Sequence, residues 1–277
     1  MGVVITKRRI VPAWLAATQH LEANGRECRN IVLEIAQPQE LPAGDRAALD
    51  RVDAALKANT GDLCITTVAT TIFPQRMYAR LGPDKFANHF LKTMKRAKKK
   101  GTWGTYAMRM LERRGKVAGS TFNPLEQVIE KLKYASTVGQ GFKSNYEMGV
   151  HLVEDLDETE YEVAAELPTW ESATDGAKPM NIPCLSHLTF KMIGGCLELT
   201  AIYRSHYYGT RALGNLVGLS QLLSYVATQA GLKIGTLTCI STHAVLDYQP
   251  LGGVTAGKKL LASLQVAEPV SALAEGS

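Results

Sequence analysis

Two runs of strand-forming residues, separated only by a pair of glycines, predict a β-hairpin in the second half of the chain. Residues 185–193 and 196–203 are rich in apolar and β-favouring side chains, and Gly194 and Gly195 join them. Two such runs with a two-residue glycine connection are typical of a hairpin with a tight turn. The pattern therefore predicts both the two strands and their pairing.

This pairing decides which polar side chains gather at the open end of the hairpin. Facing positions begin with Ile193 and Cys196, which places Cys184 opposite Ser205 and next to Arg204. A guanidinium beside a thiol favours the thiolate, the nucleophilic form of cysteine. In an unbroken ladder Cys184 and Arg204 point to opposite faces, so a β-bulge, or an end to pairing before Cys184, is needed to bring them together.

Apolar periodicity predicts the remaining elements. The strongest helix covers 213–230, where apolar residues recur every three or four positions and Gly231 ends the pattern, and a strand over 234–240 follows. Further helices are predicted over 10–22, 45–56, 84–100 and 125–134, and further strands over 30–36 and 63–73. The tail from about residue 253 is predicted to be weakly structured. Without repeats or linkers, residues 1–277 indicate one α+β domain.

Composition narrows the class of protein. The 277 residues are 45% hydrophobic and 21% charged, with 31 basic and 26 acidic side chains, which is ordinary for a soluble domain. Five cysteines without CxxC spacing argue against a disulfide framework and a metal site. The cations of 95–101 suit a solvated helix end, so no nucleic acid is expected. No apolar run reaches the roughly 20 residues of a membrane span, and we expect a cytoplasmic protein.

Four short motifs carry a family resemblance: Ile182-Pro183-Cys184, Tyr203-Arg204-Ser205, Gly214-Asn215 and Ser241-Thr242-His243. Arg204 follows Cys184 by 20 residues, and Asn215 follows Arg204 by 11. In this order and at these gaps, residues 181–245 resemble thymidylate synthase and the related pyrimidine nucleotide hydroxymethylases. The segment from Trp103 to Tyr106 resembles the tyrosine segment of the family's active site. The chain is thus similar to a divergent member of this family.

The resemblance implies a single thymidylate-synthase-like domain, in which helices flank a central mixed sheet, and a homodimer formed by sheet faces. It also implies transfer of a one-carbon unit from 5,10-methylenetetrahydrofolate to C5 of a pyrimidine nucleotide. Cys184 as thiolate would add to C6 of the ring and make C5 a carbon nucleophile, which divides one high barrier into smaller ones. Whether the product is a methyl or a hydroxymethyl group stays open, as does the choice of ribose or deoxyribose.

The resemblance also assigns roles to individual residues. It implies catalytic roles for Cys184, Arg204 and Tyr106. It implies substrate binding by Arg204, Ser205, Asn215, His243 and Tyr207, and folate binding by Trp103 and Tyr207. The Asn215 amide offers a donor and an acceptor, which suit O4 and N3–H of uracil, whereas the cytosine-using branch of the family typically has an aspartate there. A uracil base is therefore expected. Because a nearby cation lowers the pKa of a thiol, Cys184 is also expected to be the most reactive of the five cysteines.

Several positions depart from the family pattern and keep a second interpretation open. Tyr207 and Val245 stand where the family usually has an aspartate and a tyrosine, and residues 143–147 offer one cation in place of paired arginines. Each candidate also has a purely structural interpretation, since free cysteines are commonly buried and His243 suits a hydrogen-bonded core position. The alternative function is a nucleotide-binding or regulatory protein that kept the pocket and lost turnover.

Overall fold

A mixed sheet of seven strands runs through the computed structural model, which describes residues 2–98, 104–115, 117–138, 165–166, 169 and 182–264. The strands are β1 Val3–Lys7, β2 Glu27–Ile35, β3 Arg113–Arg114, β4 Thr121–Phe122, β5 Ala165–Glu166, β6 Leu185–Ile193, β7 Cys196–Tyr203, β8 His206–Tyr207 and β9 Lys233–Val245. β3 and β4 form a separate small sheet. The other seven strands make up the main sheet, which supplies one face of the core.

The order of the main sheet is β1-β2-β9-β7-β6-β5, and β8 also pairs with β9. β9 is the central strand: it runs antiparallel to β2 and parallel to β7 and β8. β6 and β7 form the hairpin that the two glycines predict, and Ile193 faces Cys196 as expected. The fold is therefore α+β with a central mixed sheet, in agreement with the sequence.

Helices cover the sheet and complete the core. They are α1 Ile10–Ala23, α2 Ala43–Thr60, α3 Ile65–Thr70, α4 Gln75–Leu81, α5 Pro83–Ala97, α6 Tyr106–Leu111, α7 Pro124–Val138, α8 Leu213–Ala230 and α9 Gly253–Ala262. α8 is buried along most of its length and packs on β7, β9, α1, α3 and α7. Within the residues that the structure describes, no helix is both long enough and apolar enough to cross a membrane.

Two glycines on α8 let α3 approach closely. A Cβ atom at Gly214 would lie 2.6 Å from the Val68 Cβ, and one at Gly218 would lie 2.8 Å from the Ala69 carbonyl oxygen. The predicted boundaries of this helix are confirmed, and Gly231 ends it in the left-handed conformation with φ of 70°. The glycines therefore set the distance between two helices near the start of α8.

The prediction of a strand over 63–73 is wrong, because this segment contains the helix α3. Cys64 caps the helix: the Thr67 amide donates to its sulfur at 3.3 Å, and the Cys64 amide donates to the Thr67 hydroxyl at 3.0 Å. The Ile65 amide also donates to the Asp53 carboxylate at 2.7 Å. Capping and packing on α8 thus override the strand preference of threonine and valine.

The prediction of a weakly structured tail from about residue 253 is also wrong for the described part of the tail, which ends at residue 264. The helix α9 forms there. Gly257 lies directly against the ring of Tyr248, where a side chain would collide, and Leu261 is buried. The small residues of this segment allow close packing, so a high content of glycine and alanine does not indicate a lack of structure here. The sequence also gave no indication of β1, which pairs in parallel with β2.

Candidate active site

A β-bulge brings Cys184 and Arg204 to the same side of the hairpin. The register shifts at Ser186, whose hydroxyl donates to the Ile202 carbonyl at 3.0 Å. Beyond the bulge the Arg204 amide donates to the Cys184 carbonyl at 3.0 Å, so these two residues face each other. The expectation that Cys184 faces Ser205 is therefore wrong by one residue, and the bulge is the cause.

Tyr106 holds the backbone at the candidate nucleophile. Its hydroxyl oxygen accepts hydrogen bonds from the amides of Cys184 at 3.1 Å and Leu185 at 3.3 Å. Tyr106 is fixed because α6 begins there, where the Thr105 hydroxyl caps the helix by accepting from the Met108 amide at 3.2 Å. Burial raises the pKa of Tyr106 to about 12. At neutral pH the phenol therefore keeps its proton, which it can donate.

The Cys184 thiol experiences opposing influences. Burial raises its pKa above the ordinary thiol value, while the nearby guanidinium groups of Arg204 and Arg211 act in the opposite direction and offset part of the rise. The cations thus act in the expected direction, but desolvation outweighs them in the free protein, so the net shift of the Cys184 pKa is upward. Cys184 is nevertheless half-exposed, whereas Cys239 is buried and burial raises the Cys239 pKa to about 12.

Arg211 is delivered by a π-helical turn over Tyr208–Ala212. The Asp247 carboxylate holds this turn by accepting from the Gly209 amide at 2.8 Å, the Thr210 amide at 3.2 Å and the Thr210 hydroxyl. Gly209 lies so close to the Asp247 carbonyl that no side chain fits there. A carboxylate and a glycine thus place an exposed cation within electrostatic range of Cys184.

Asn215, expected to recognise the base, belongs to a buried hydrogen-bond chain. Its Nδ2 donates to Nε2 of His206 at 3.1 Å, and Nδ1 of His206 lies 2.9 Å from the Ser241 hydroxyl. The Tyr208 hydroxyl lies 3.2 Å from the same Ser241 oxygen. The His206 ring stacks on that of Tyr203, with 4.0 Å between centroids and 5° between planes. These contacts give Asn215 a fixed orientation.

Tyr203 contributes a buried hydroxyl that finds no hydrogen-bond partner among the residues that the structure describes. The side chain is fully buried, and Cys184 and Tyr106 are among the groups that act on its phenol electrostatically. Burial is the main reason that the pKa of Tyr203 lies well above its ordinary value, so the hydroxyl stays protonated. An unsatisfied hydroxyl in this position is typical of a site that a ligand completes.

The other expected site residues are placed differently. Ser205 is half-buried next to Arg204, and Tyr207 is 45% exposed on β8. His243 is bonded to Glu27 of β2 at 2.9 Å, on the side of β9 away from the hairpin. Trp103 lies outside the described residues. In the described part of the chain, no three His, Cys, Asp or Glu side chains gather as metal ligands would.

Sequence reasoning missed Arg211, Asp247 and the environment of Tyr203. Arg211 lies seven positions after Arg204, and this second cation was a usable signal. Asp247 has no such signal, because it contributes by accepting from the amides of Gly209 and Thr210, which lie 38 and 37 positions before it in the chain. In the sequence Tyr203 is only one member of the Tyr203-Arg204-Ser205 motif, and its burial depends on packing that the pattern does not reveal.

Comparison with known proteins shows which proteins part of this chain is similar to. No family model matches the chain. Curated proteins named "Putative thymidylate synthase" do match: that of Methanosarcina barkeri is 38% identical over 94 residues, which are 34% of this chain and 43% of the relative. Those of Methanosarcina acetivorans and Methanosarcina mazei are 36% and 35% identical over 99 residues, 35% of this chain and 45% of each relative. About a third of the chain is therefore similar to proteins of this name, which supports the resemblance to thymidylate synthase.

The thymidylate-synthase-like part is limited in extent. The match spans less than half the length of each of these curated relatives, and about a third of this chain. The central mixed sheet of the structure is the one that the resemblance implies.

Proposed function

We propose that the protein transfers a one-carbon unit from methylenetetrahydrofolate to C5 of a pyrimidine nucleotide, with a uracil base, through a covalent adduct on Cys184. The observation that carries this proposal is the bulged end of the hairpin. There the half-exposed Cys184 thiol experiences the charges of Arg204 and Arg211, and the Cys184 backbone amide donates to the Tyr106 hydroxyl. A nucleophile between two cations suits an anionic substrate that is attacked by sulfur.

The cations would bind the nucleotide phosphate. Arg204 and Arg211 both act on the Cys184 thiol, so an anion that both bind would lie within electrostatic range of the sulfur. Guanidinium groups bind phosphate through paired, charge-assisted hydrogen bonds. The Ser205 hydroxyl, next to Arg204 in the chain, would add a further donor. Arg211 would thereby take the place of the paired arginines that residues 143–147 do not supply.

The chemistry follows from the protonation states. Sγ of Cys184 would form a bond to C6 while its proton passes to solvent water, and the electron pair of the C5–C6 double bond would move to C5 and make it nucleophilic. Because burial keeps the Cys184 pKa high, the thiolate would form during attack rather than before it. Tyr106, with a pKa of about 12, would donate a hydrogen bond at the reacting ring rather than remove a proton. Asn215 would recognise N3–H and O4 of uracil.

Methylenetetrahydrofolate, when bound, supplies the one-carbon unit. The ring of Tyr207 is 45% exposed, close in the chain to Arg204 and Ser205, and a flat aromatic surface of this kind fits a pterin. Tyr207 would therefore hold the folate, and Trp103 would do so by the family resemblance. The methyl and hydroxymethyl products remain alternatives within this proposal.

A homodimer would form through the outer face of the sheet. Val32, Ile240 and Ile202 face one another across β2, β9 and β7, on the side opposite the buried residues of these strands. Such a half-exposed apolar row favours a second sheet face. Sedimentation at micromolar concentration is expected to give a dimer, and a monomer would count against this arrangement.

The experiment that tests the reaction is capture of the covalent adduct. The protein is incubated with methylenetetrahydrofolate and 5-fluoro-dUMP or 5-fluoro-UMP, in which fluorine replaces the C5 proton that has to leave. We expect a stable mass increase on the peptide that contains Cys184. Cys184→Ala is expected to abolish it, and Cys196→Ala, on the same hairpin, to retain it. Turnover by Cys184→Ala should fall by at least about 10³-fold.

A nucleotide-binding protein without turnover is the second candidate, and the raised pKa of Cys184 favours it. Binding of 5-fluoro-dUMP without any adduct, in the presence of methylenetetrahydrofolate, would decide for this candidate. Absence of both binding and adduct would overturn both candidates.

A further inference from the structure

A chain of buried hydrogen bonds connects Asn215 on α8 to His206 on β8 and Ser241 on β9. His206, Asn215 and Ser241 are 1%, 5% and 0% exposed, so solvent does not compete for their polar atoms. Asn215 Nδ2 is 3.1 Å from Nε2 of His206, and His206 Nδ1 is 2.9 Å from Oγ of Ser241. The rings of Tyr203 and Tyr208 enclose the imidazole at centroid distances of 4.0 and 5.3 Å. The histidine therefore has little freedom to move.

These contacts determine the protonation of His206. Burial lowers its pKa to about 3, so the ring is neutral at physiological pH. A neutral imidazole has one donor nitrogen and one acceptor nitrogen. Because Nδ2 of Asn215 can only donate, Nε2 of His206 must accept. Nδ1 then carries the proton and donates it to the Ser241 hydroxyl.

The tautomer in turn determines the orientation of the Asn215 amide. One N–H of Nδ2 is committed to His206, which leaves Oδ1 as an acceptor and the second N–H as a donor. With the proton on Nδ1, an amide that turned over would place Oδ1 against the lone pair of Nε2, and two buried acceptors would face each other without a donor. Asn215 alone offers two orientations, and the Nδ1-protonated tautomer of His206 fits only one of them.

We propose that His206 is a positioning residue that sets the base preference by holding the Asn215 amide in the orientation that matches uracil. This inference rests on the proposed function. Uracil presents a donor at N3 and an acceptor at O4, whereas cytosine presents an acceptor at N3 and a donor at its amino group. Oδ1 and the free N–H match the first pattern and not the second. The sequence motifs include Asn215 but assign no such role to His206.

Nucleotide affinities test the proposal. Dissociation constants for dUMP and dCMP, and for UMP and CMP, are measured by titration calorimetry on the wild type, His206→Leu and His206→Gln. We expect the wild type to prefer uracil by about 5- to 150-fold, which corresponds to about 1–3 kcal/mol. In His206→Leu, which has no acceptor, the ratio should fall below about 3-fold. His206→Gln, whose amide oxygen can accept from Nδ2, should restore it.

A second variant keeps the test decisive if His206→Leu does not fold. Ser241→Ala removes the acceptor of the Nδ1 proton and frees the ring to change tautomer. Its preference for uracil should also narrow. A folded His206→Leu or Ser241→Ala protein that keeps the wild-type ratio would overturn the proposal, and so would equal affinity of the wild type for both bases.

A spectroscopic measurement separates this inference from the proposed function. In protein labelled with ¹⁵N at its six histidines, the His206 resonances at neutral pH should report a proton on Nδ1 and none on Nε2. A proton on Nε2 would overturn the positioning role whatever nucleotide binds. The expected tautomer without any pyrimidine nucleotide binding would overturn the function and, with it, the role in base choice, while leaving the hydrogen-bond chain itself established.

Discussion

Tyr203 carries a hydroxyl group that its surroundings in the fold do not use. The ring is fully buried and stacks on His206, but the hydroxyl has no hydrogen-bond partner among the described residues. A buried polar atom left unsatisfied costs about 1–3 kcal/mol, so stability alone does not account for a tyrosine at this position. Its place beside Cys184 and Tyr106 suggests that the hydroxyl serves the reaction.

Replacement of this residue separates stability from function. Tyr203→Phe keeps the stacked ring and removes the unsatisfied group, so its free energy of unfolding should be unchanged or higher by about 1 kcal/mol. Urea denaturation measures this change. Tyr208→Phe is the matched control, because its hydroxyl lies 3.2 Å from that of Ser241, and its loss should destabilise by about 1 kcal/mol. A clear loss of stability in Tyr203→Phe would show that its hydroxyl has a partner in the fold.

The reactivity of Cys184 should depend on the second cation. Burial raises the pKa of this thiol and Arg211 opposes the rise, so removal of the guanidinium should raise the pKa further and lower the thiolate fraction at a given pH. Arg211→Gln should therefore be alkylated at Cys184 more slowly than the wild type, and both rates should rise with pH. Iodoacetamide labelling with peptide mass mapping gives the rates.

Two comparisons control this experiment. Arg46→Gln, an exposed arginine on α2, should leave the labelling rate of Cys184 unchanged. In the native protein Cys184 should also react faster than the buried Cys239. Identical alkylation rates of Cys184 in Arg211→Gln and the wild type would show that Arg211 does not influence the pKa of this thiol.

At the level of elements, the position of Asn215 depends on the contact between α3 and α8. Gly214 precedes Asn215, and a methyl group there would meet the Val68 side chain at 2.6 Å. Overpacking of this kind costs about 1–3 kcal/mol. Gly214→Ala should lose stability by this amount and weaken nucleotide binding, because α8 has to move. Gly44→Ala on α2, where nothing lies within 4 Å, should instead gain about 0.5–1 kcal/mol.

Denaturant unfolding of both variants gives the comparison. A Gly214→Ala protein as stable as the wild type would mean that the two helices separate at little cost. Their close approach would then not be what positions Asn215.

The elements that the sequence predicted well are those whose signal is local. The hairpin followed from two glycines, and α8 from its apolar stripe and Gly231. The failures have causes that the local pattern of apolar and polar residues does not reveal. α3 is helical because of its cap and its contact with α8, and the bulge at Ser186 moves Cys184 by one position without any mark in the composition. The partner of His243 is Glu27, which is 216 residues away.

At the level of the whole molecule, the buried histidine makes stability depend on pH. Burial lowers the pKa of His206 to about 3, while the same residue in the unfolded chain takes up a proton near pH 6.5. The unfolded state therefore binds more protons below about pH 6.5, and this contribution to stability is lost as the pH falls toward about 3. Between about pH 6.5 and 4.5 the loss should amount to about 2 kcal/mol.

Comparison with His206→Gln isolates this effect, because the other titrating groups are common to both proteins. Urea denaturation from pH 7 downward should show a shallower decline in the variant than in the wild type. Parallel declines would mean that His206 can accept a proton in the folded state, and that the hydrogen-bond chain opens to allow it.

The central place of β9 has a consequence for synthesis on the ribosome. β2 ends at Ile35 and β9, which joins it to the rest of the sheet, begins at Lys233, so 197 residues separate the two strands. At about 5–20 residues per second, translation of this interval takes about 10–40 s. During that time the inner edge of β2 is open, and an open strand edge can pair with another chain. The nascent chain is therefore exposed to aggregation at a stage that the finished sheet no longer shows.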